Sequence, residues 1–190
     1  MRPLHSALVL LACCGFAPGL QAQTREAWAA AARAIRRLPP SSFPELLAVV
    51  RHALERRGCT VPQSFDSEKP HNVVRGAFAR SGQEDWAVLC STGGRSVVLV
   101  FWAGRLTPPP AELGLADDAL YLQGIGAGQI GYSRAIGRAD TTSIRAHAEA
   151  YGGPLPKRLD HDGLEDAFVG KASQILYYED GAWQELAGAD

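Results

Sequence analysis

The residues best suited to chemistry form an acidic run around one glycine, Asp160-His161-Asp162-Gly163-Leu164-Glu165-Asp166. Calcium-binding loops place oxygen ligands at alternate positions and a glycine after the third ligand, where the chain turns sharply. With Gly163 as that glycine, the predicted ligands are three carboxylates and one main-chain carbonyl, from Asp160, Asp162, Asp166 and Leu164. This spacing makes calcium a candidate cofactor.

The same run departs from a calcium loop at two positions. Arg158 stands where the first carboxylate is expected, and Val169 stands where a bidentate glutamate is usual. A cation at the site and two missing oxygens weaken calcium binding. We therefore favour an acidic turn, or a helix start in which Asp162 is the cap and Glu165 completes a capping box. A weak calcium loop is the alternative, so the expected cofactor is none or calcium.

A second chemical pattern is a literal G-x-G-x-x-G formed by Gly126, Gly128 and Gly131. In dinucleotide-binding folds these glycines follow a strand and open a helix. Here residues 132–137 have the composition of another strand, so the pattern predicts a flexible hairpin turn.

Nucleophilic catalysis needs a serine or cysteine beside a base. Ser133 lacks the second glycine of a nucleophile elbow. The candidate bases are three histidines whose spacing matches no zinc or protease motif, His71, His147 and His161. Neighbouring acids, as at Glu84-Asp85 and Asp117-Asp118, point to opposite faces of a strand and do not form a glycosidase pair. The sequence shows no catalytic motif, and an enzyme site would have to be assembled by the fold.

The N-terminus has the features of a secretory signal. Arg2 precedes a short apolar run over residues 7–12, Pro18 breaks the pattern, and Ala22 supplies a small residue before the cut. We therefore expect residues 1–22 to be a signal peptide and the protein to be periplasmic or secreted. The run is far shorter than the roughly 20 residues of a membrane-spanning helix. Alternatively, L-L-A-C at residues 10–13 resembles a lipobox, and cleavage before Cys13 would give a lipid-anchored protein.

Charge and length limit the function class. The chain has 19 Lys and Arg against 20 Asp and Glu, a formal net charge of −1, with no basic block. Nucleic-acid binders usually present a basic face, so we exclude that class. The 190 residues suit one domain. We expect a signal over residues 1–22, a helical lead-in segment over 23–40 and a single domain over 41–190.

Two cysteines lie beyond the predicted signal, Cys59 and Cys90. An even pair in an exported chain usually forms a disulfide. We therefore predict a Cys59–Cys90 bridge, with two free buried thiols as the alternative.

The hydrophobic pattern predicts an α+β domain, in which N-terminal helices pack on antiparallel β-sheet. Ser42 and Glu45 have the spacing of a capping box, followed by an apolar helical stripe that ends near Gly58. A further helix is predicted over residues 141–151, capped by Asp140. Hairpins are predicted at Gly93-Gly94 and at Asp180-Gly181.

Several segments resemble known sequences. The pieces N-V-V-R-G-A-F at 72–78, D-W-A-V-L-C at 85–90, and D-H-D-G followed by D-A-F at 160–168 resemble a group of exported bacterial proteins of unknown activity. More distantly, they are similar to FG-GAP (integrin-like) repeats, and that resemblance implies calcium loops between strands. Residues 82–88 and 163–169 also resemble each other, which suggests a duplicated β unit.

These observations lead to three functional hypotheses. The first is a non-enzymatic exported binding or interaction module, because aromatic side chains that point outward from strands can anchor a partner. The second is a cell-envelope hydrolase whose site only the fold assembles, and the third is a secreted enzyme inhibitor. A pocket that gathers a histidine with two carboxylates would favour the hydrolase, and a flat aromatic patch would favour binding.

Overall fold

The computed structural model describes residues 18–189, with side chains from Thr24 onward. Most of the predicted signal, including Cys13, lies outside these residues, so the signal and the lipid anchor stay predictions. Within the described range no helix is long and apolar enough to cross a membrane.

Three α-helices occur in residues 18–189: α1 at Pro18–Ala34, α2 at Ala48–Arg56 and α3 at Thr141–Tyr151. The prediction for α3 is confirmed at both ends. Oδ1 of Asp140 accepts the backbone N–H of Ser143 at 2.8 Å, and Gly152 follows the last helical residue with φ 79°. The side chain of a polar cap accepts a hydrogen bond from a free backbone N–H at the start of a helix. A glycine after the last helical residue can adopt a positive φ, at which the helix ends.

The predicted start of α2 is wrong. Residues Pro40–Ser42 form a 3₁₀ turn, and the helix begins only after Leu47. Phe43 precedes Pro44, and a residue before proline is sterically kept out of the helical region; its φ and ψ are −116° and 85°. The capping box of Ser42 and Glu45 is therefore absent.

The strands of the described chain form two four-stranded antiparallel sheets and two separate pairs. Their bounds are β1 Arg37–Leu38, β2 Val61–Pro62, β3 Val73–Gly76, β4 Asp85–Thr92, β5 Arg95–Phe101, β6 Ala111–Asp117, β7 Leu122–Gly126, β8 Gln129–Tyr132, β9 Arg134–Ala139, β10 Gly163–Phe168, β11 Ala172–Glu179 and β12 Ala182–Ala187. The first sheet has the order β3-β4-β5-β6 and the second the order β9-β10-β11-β12. With the three helices, this confirms the α+β class.

The predicted hairpins are present. Gly93 and Gly94 connect β4 to β5 with φ of 61° and 82°. The G-x-G-x-x-G pattern forms the turn between β7 and β8, as expected, with Ala127 and Gly128 at positive φ. The Asp180-Gly181 pair joins β11 to β12, because aspartate and glycine tolerate the left-handed backbone that a tight hairpin needs.

The elements pack in four layers, in the order α2, first sheet, second sheet, α3. Val50 and Leu54 of α2 lie against one face of the first sheet, including Val88. The opposite face of that sheet contacts the second sheet through two groups of buried side chains: Ala87, Leu89, Val98 and Val100 from the first, and Ile136, Leu164 and Leu176 from the second. Ile144 of α3 covers the outer face of the second sheet. Both faces of β4 and β5 are thus covered, which explains their continuous apolar sequences.

The disulfide Cys59–Cys90 is confirmed. It joins the segment after α2 to β4, and both cysteines belong to the apolar cluster under α2. Backbone hydrogen bonds between Thr60 and Ser91, at 2.8 and 3.0 Å, continue the same connection. The bridge therefore fastens the α2 layer to the first sheet.

A fully buried arginine connects the two sheets. Arg134 lies at the start of β9, and its Nε and Nη2 donate to the two carboxylate oxygens of Asp166 at 3.0 and 2.7 Å. Its Nη1 donates to the carbonyl and hydroxyl of Ser96, and its Nη2 also donates to the carbonyl of Gly114 at 2.7 Å. Ser96 and Gly114 belong to the first sheet, so one side chain spans the interface. Its charge also lies 4.7 Å from the ring of Tyr121.

This network keeps Arg134 charged. Burial alone would lower the pKa of its guanidinium, but the hydrogen bond and the charge of Asp166 outweigh burial and raise that pKa. All five N–H donors of the guanidinium have an acceptor, which meets the condition under which a buried ion pair is tolerated.

Replacing Arg134 by methionine would leave Asp166 buried without its partner. We expect the Arg134→Met variant to lose about 3–5 kcal/mol of unfolding free energy, the usual cost of an uncompensated buried charge. The double variant Arg134→Met/Asp166→Leu removes both charges and should lose less than the single variant. Urea unfolding of the three proteins measures this, and a double variant that is as unstable as the single one would contradict the coupling.

Candidate functional site

Three loops meet at one end of the sheets, and we call this surface the loop face. The loops are residues 77–84 between β3 and β4, residues 102–105 after β5, and residues 157–162 before β10. Ala77 joins the first loop to the third, because its N–H donates to Oδ2 of Asp162 at 2.9 Å and its carbonyl accepts the N–H of Asp162 at 3.0 Å. Two of the cavities that open on the loop face have Arg80 in their lining.

The larger cavity, which we call the first cleft, has a volume of about 690 Å³. Its lining combines Arg80 and Arg105 with Leu47, whose side chain is 41% exposed. Neither arginine has an ion-pair partner in the part of the chain that the structure describes. The lining carboxylate, Glu84, already pairs with Arg75 at 3.3 Å. The first cleft therefore presents two uncompensated positive charges beside an apolar side chain.

Buried Asp85 fixes the walls of the first cleft. Its Oδ2 accepts the N–H of Ala79 at 2.9 Å, and its Oδ1 accepts the N–H of Ala103 at 2.7 Å and the amide of Gln83 at 2.6 Å. One carboxylate thus orders both the 77–84 loop and the 102–105 loop. Ala103 has a φ of 49°, a strained conformation for a residue with a Cβ, and strain of this kind clusters at functional sites.

The second cavity has a volume of about 370 Å³ and gathers a histidine with several carboxylates. Its lining includes His161 with Asp160, Glu179 and Asp180. A pocket of this composition is what the hydrolase hypothesis requires, so the contacts of each group decide whether acid–base chemistry is available there.

Internal hydrogen bonds engage both ring nitrogens of His161. Its Nε2 lies 2.9 Å from the carbonyl of Tyr178, while Nδ1 lies 2.8 Å from Oδ1 of Asp160 and 2.6 Å from the hydroxyl of Tyr177. That hydroxyl donates to the carbonyl of Arg158 at 2.7 Å. A general base needs a free ring nitrogen within reach of its substrate, and His161 has none.

The carboxylates of the second cavity are engaged as well. Glu179 accepts the backbone N–H of Arg158 at 2.8 Å and that of Lys157 at 3.2 Å. These bonds, with that of Arg158 first, lower the pKa of Glu179 and keep it ionised. The hydrogen bond from Lys157 likewise lowers the pKa of Asp180, and the bond to His161 lowers that of Asp160. Acids held ionised in this way are poor proton donors near neutral pH.

Three half-buried aromatic rings contact one another, and one of them, Tyr178, lines the second cavity. The centroid of Trp102 lies 4.9 Å from that of Tyr178 and 5.7 Å from that of Trp183, and the latter two are 5.3 Å apart. Trp102 and Trp183 also contact the apolar cluster between the sheets. Of the two neighbouring tyrosines in β11, Tyr177 is fully buried and Tyr178 belongs to this trio.

The structure separates the environments of the four predicted calcium ligands. Asp160 is a half-exposed partner of His161, and Asp162 accepts the N–H of Ala77 and lies 3.7 Å from Arg138. Leu164 and Asp166 belong to β10, where Arg134 binds both oxygens of Asp166. Within residues 18–189 no group of three or more His, Cys, Asp or Glu side chains is arranged to hold a metal. Calcium binding stays a prediction, and it would have to displace these internal partners.

A serine–histidine contact lies in the loop before β3. Oγ of Ser64 is 2.8 Å from Nε2 of His71, a distance suited to a nucleophile and its base. The backbone N–H of Ser64, however, donates to the same Nε2 at 2.8 Å, and the hydroxyl also bonds to Asp66. Nδ1 lies 2.9 Å from the carbonyl of Lys69. These hydrogen bonds hold the loop in a closed conformation. Because they occupy both ring nitrogens of His71, the histidine is not available as a base.

The two segments that resemble each other lie at the second strand of each four-stranded sheet. Residues 82–88 lead into β4 and residues 163–169 form β10, and each is the second strand of a four-stranded antiparallel meander. Asp85 and Asp166, which align in the two segments, are both buried acids that organise a hydrogen-bond network. The resemblance to FG-GAP repeats itself stays a prediction.

The chain was also compared with known proteins. No family model, curated protein or solved structure matches it. The interpretation of the loop face therefore rests on its own geometry.

Sequence reasoning missed the residues that define the loop face, Arg80, Asp85, Arg105 and Arg158. Each arginine looks like an ordinary surface charge, and only the fold shows that these loops are neighbours. The strand sequence that starts at Asp85 gave one usable signal, because an acid at the edge of a continuous apolar run is expected to be buried and hydrogen-bonded.

The carboxylate of Asp85 accepts hydrogen bonds from three donors. An asparagine at this position would keep only one acceptor oxygen, and its NH2 group would face donors that it cannot bind. We expect Asp85→Asn to lower the unfolding free energy by about 2–3 kcal/mol, as for buried hydrogen bonds to a charged group. The matched control is Asp117→Asn, since Asp117 makes an exposed ion pair with Arg95 that should be worth less than about 1 kcal/mol. Equal losses in urea unfolding would argue against the role of Asp85.

The calcium hypothesis can be tested by thermal unfolding in millimolar calcium and in chelator, because a ligand of the folded state raises its midpoint. Since Arg134 binds both carboxylate oxygens of Asp166, we expect the unfolding midpoints in calcium and in chelator to agree. A calcium-dependent rise that disappears in Asp162→Ala would contradict this expectation and establish residues 160–166 as a metal site.

Proposed function

We propose that this protein is an exported binding module without catalytic activity, and that it engages a partner protein through the loop face. The observation that carries the proposal is the contact of Trp102 and Trp183 with Tyr178, which lines the second cavity together with Arg80, a residue that also lines the first cleft. Tryptophan, tyrosine and arginine are the residue types most enriched at the energetic centres of protein interfaces.

The rigidity of the loop face supports the proposal. Asp85 orders two of its loops, the Ala77–Asp162 hydrogen bonds join the third, and Glu179 fixes the backbone at residues 157 and 158. A surface that is ordered before the partner arrives loses less conformational entropy on binding. Preorganised loops on a rigid sheet scaffold are a common way to build a binding site.

Export is supported by the N-terminal sequence and by the disulfide. Bridges persist in oxidising compartments and are rare in the cytosol, and Cys59–Cys90 is formed in the folded chain. A partner in the cell envelope or outside the cell is consistent with both features.

A cell-envelope hydrolase is the second candidate, because the second cavity gathers His161 with three carboxylates. The internal hydrogen bonds of His161 and Glu179 weigh against it, since they leave no free base and no protonated acid. An enzyme inhibitor, the third hypothesis, would be one form of the proposed binding module.

Charge reversal at Arg80 tests the proposal, because Arg80 lines both cavities. The protein is expressed from the full-length chain, purified in its processed and oxidised form, and used to capture partners from envelope and culture fractions of its source cells. We expect a partner that wild type retains and Arg80→Glu loses, with at least a tenfold lower affinity once the pair is purified, because a repulsive charge then faces the partner.

The matched control is Arg145→Glu on α3, an exposed arginine outside both cavities. It should retain the partner as wild type does. Equal retention by Arg80→Glu and Arg145→Glu would place binding elsewhere. Turnover of an envelope substrate that requires His161 would replace this proposal with the hydrolase.

A further inference from the structure

The first cleft carries charge that the protein itself does not neutralise. Arg80 and Arg105 line it, and neither makes an ion pair with any described residue. Six arginines of the described chain form ion pairs, among them Arg134 with Asp166 and Arg75 with Glu84, while several exposed ones, such as Arg145, form none. Arg80 and Arg105 differ from Arg145 because both line the same cavity. Two unpaired guanidinium groups on the wall of a preformed cleft point to a ligand that brings negative charge.

A ligand that carries a carboxylate suits the two arginines of this cleft. Guanidinium is a planar fork that binds carboxylate oxygens through parallel N–H donors, more strongly than neutral hydrogen bonds do. The cleft volume of about 690 Å³ lies inside the roughly 300–1,000 Å³ range typical of ligand sites. It is large enough to admit several atoms beyond the carboxylate itself.

An apolar contact lies beside the charges. Leu47 is 41% exposed in the cleft although it precedes α2 directly. Its Cδ1 lies against Gly104, where even one added Cβ would collide with it. Gly104 thus leaves room for the leucine side chain, which offers an apolar surface to a ligand.

The charge distribution favours a short segment over an extended polyanion. The net charge of the chain is −1, and the neighbouring cavity is lined by three carboxylates, Asp160, Glu179 and Asp180. Nucleic acids, anionic membranes and charged glycans are bound through broad basic surfaces, which these carboxylates would interrupt. A local pair of cations beside an apolar side chain instead matches an acidic side chain followed by an apolar one.

We infer that the first cleft binds an acidic peptide segment of the partner protein. Carboxylates of that segment pair with Arg80 and Arg105, and a neighbouring apolar side chain packs on Leu47. This inference rests on the proposed function and specifies the chemistry of the partner at that surface.

The test uses the processed, oxidised protein and two fluorescent peptides of equal length. One repeats glutamate and leucine, and the other has glutamine in place of each glutamate. Fluorescence polarisation at low and physiological salt measures affinity for wild type, Arg80→Gln, Arg105→Gln and the double variant. Two controls remove an exposed arginine outside the loop face: Arg56→Gln in the last turn of α2 and Arg145→Gln on α3.

We expect the glutamate peptide to bind at least tenfold more tightly than the glutamine peptide, with affinity that falls as salt rises. Each cleft variant should weaken binding about three- to tenfold and the double variant more than tenfold, while the two controls stay within twofold of wild type. Equal losses in cleft and control variants would show non-specific attraction and overturn the inference.

Two further outcomes separate this inference from the proposed function. No binding of the glutamate peptide, together with a captured partner that still requires Arg80, would refute the acidic segment and leave the binding module standing. Tighter binding to anionic vesicles or to a charged glycan than to the peptide would show that the partner is not a protein, and both proposals would then fail.

Discussion

The guanidinium of Arg134 is buried between the two sheets, and every one of its N–H groups donates to an acceptor. A charge in that position is tolerated only while all of these acceptors remain in place. The carboxylate comes from β10, the two carbonyls come from β5 and β6, and Tyr121 covers the remaining side. Relative sliding of the sheets would break several of these bonds at once, so the arginine fixes one register between them and so helps to position the loops that leave them.

Buried aspartates repeat this arrangement elsewhere in the fold. Asp85 holds two loops of the loop face, and Asp118 accepts from Arg37 and from the hydroxyl of Ser91 at 2.6 Å. In each case a carboxylate at the end of a strand or a loop accepts a hydrogen bond from at least one residue 18 or more positions away along the chain. The apolar layers provide most of the burial, but these acids select which loops become neighbours. The loop face is therefore a product of polar contacts inside the protein as much as of the residues at its surface.

Local patterns predicted α3, the hairpins and the apolar strands because caps, turns and periodicity act over a few residues. The start of α2 was not predictable from its cap alone, because the restriction that Pro44 places on Phe43 overrides it. Arg134 carries no local signal, since its acceptors lie 20 to 38 residues away along the chain. The weak calcium loop, which the sequence left as an alternative, included Asp166, and in the fold Arg134 binds both oxygens of that carboxylate. The cleft arginines were missed for the same reason, because Arg80 and Arg105 become neighbours only when β3, β4 and β5 have folded.

If the chain is exported as proposed, the Cys59–Cys90 bridge makes completion of the α2 layer depend on the redox state of the compartment. It fastens the α2 layer, and Leu47 at the start of that layer is part of the first cleft. In a reducing compartment the bridge is not expected to form, and the layer is then held by packing and by the Thr60–Ser91 backbone hydrogen bonds. In an exported chain, oxidation after translocation completes the same layer that shapes the cleft. Under the proposed function, the surface that carries the first cleft would then be completed only in the oxidising compartment.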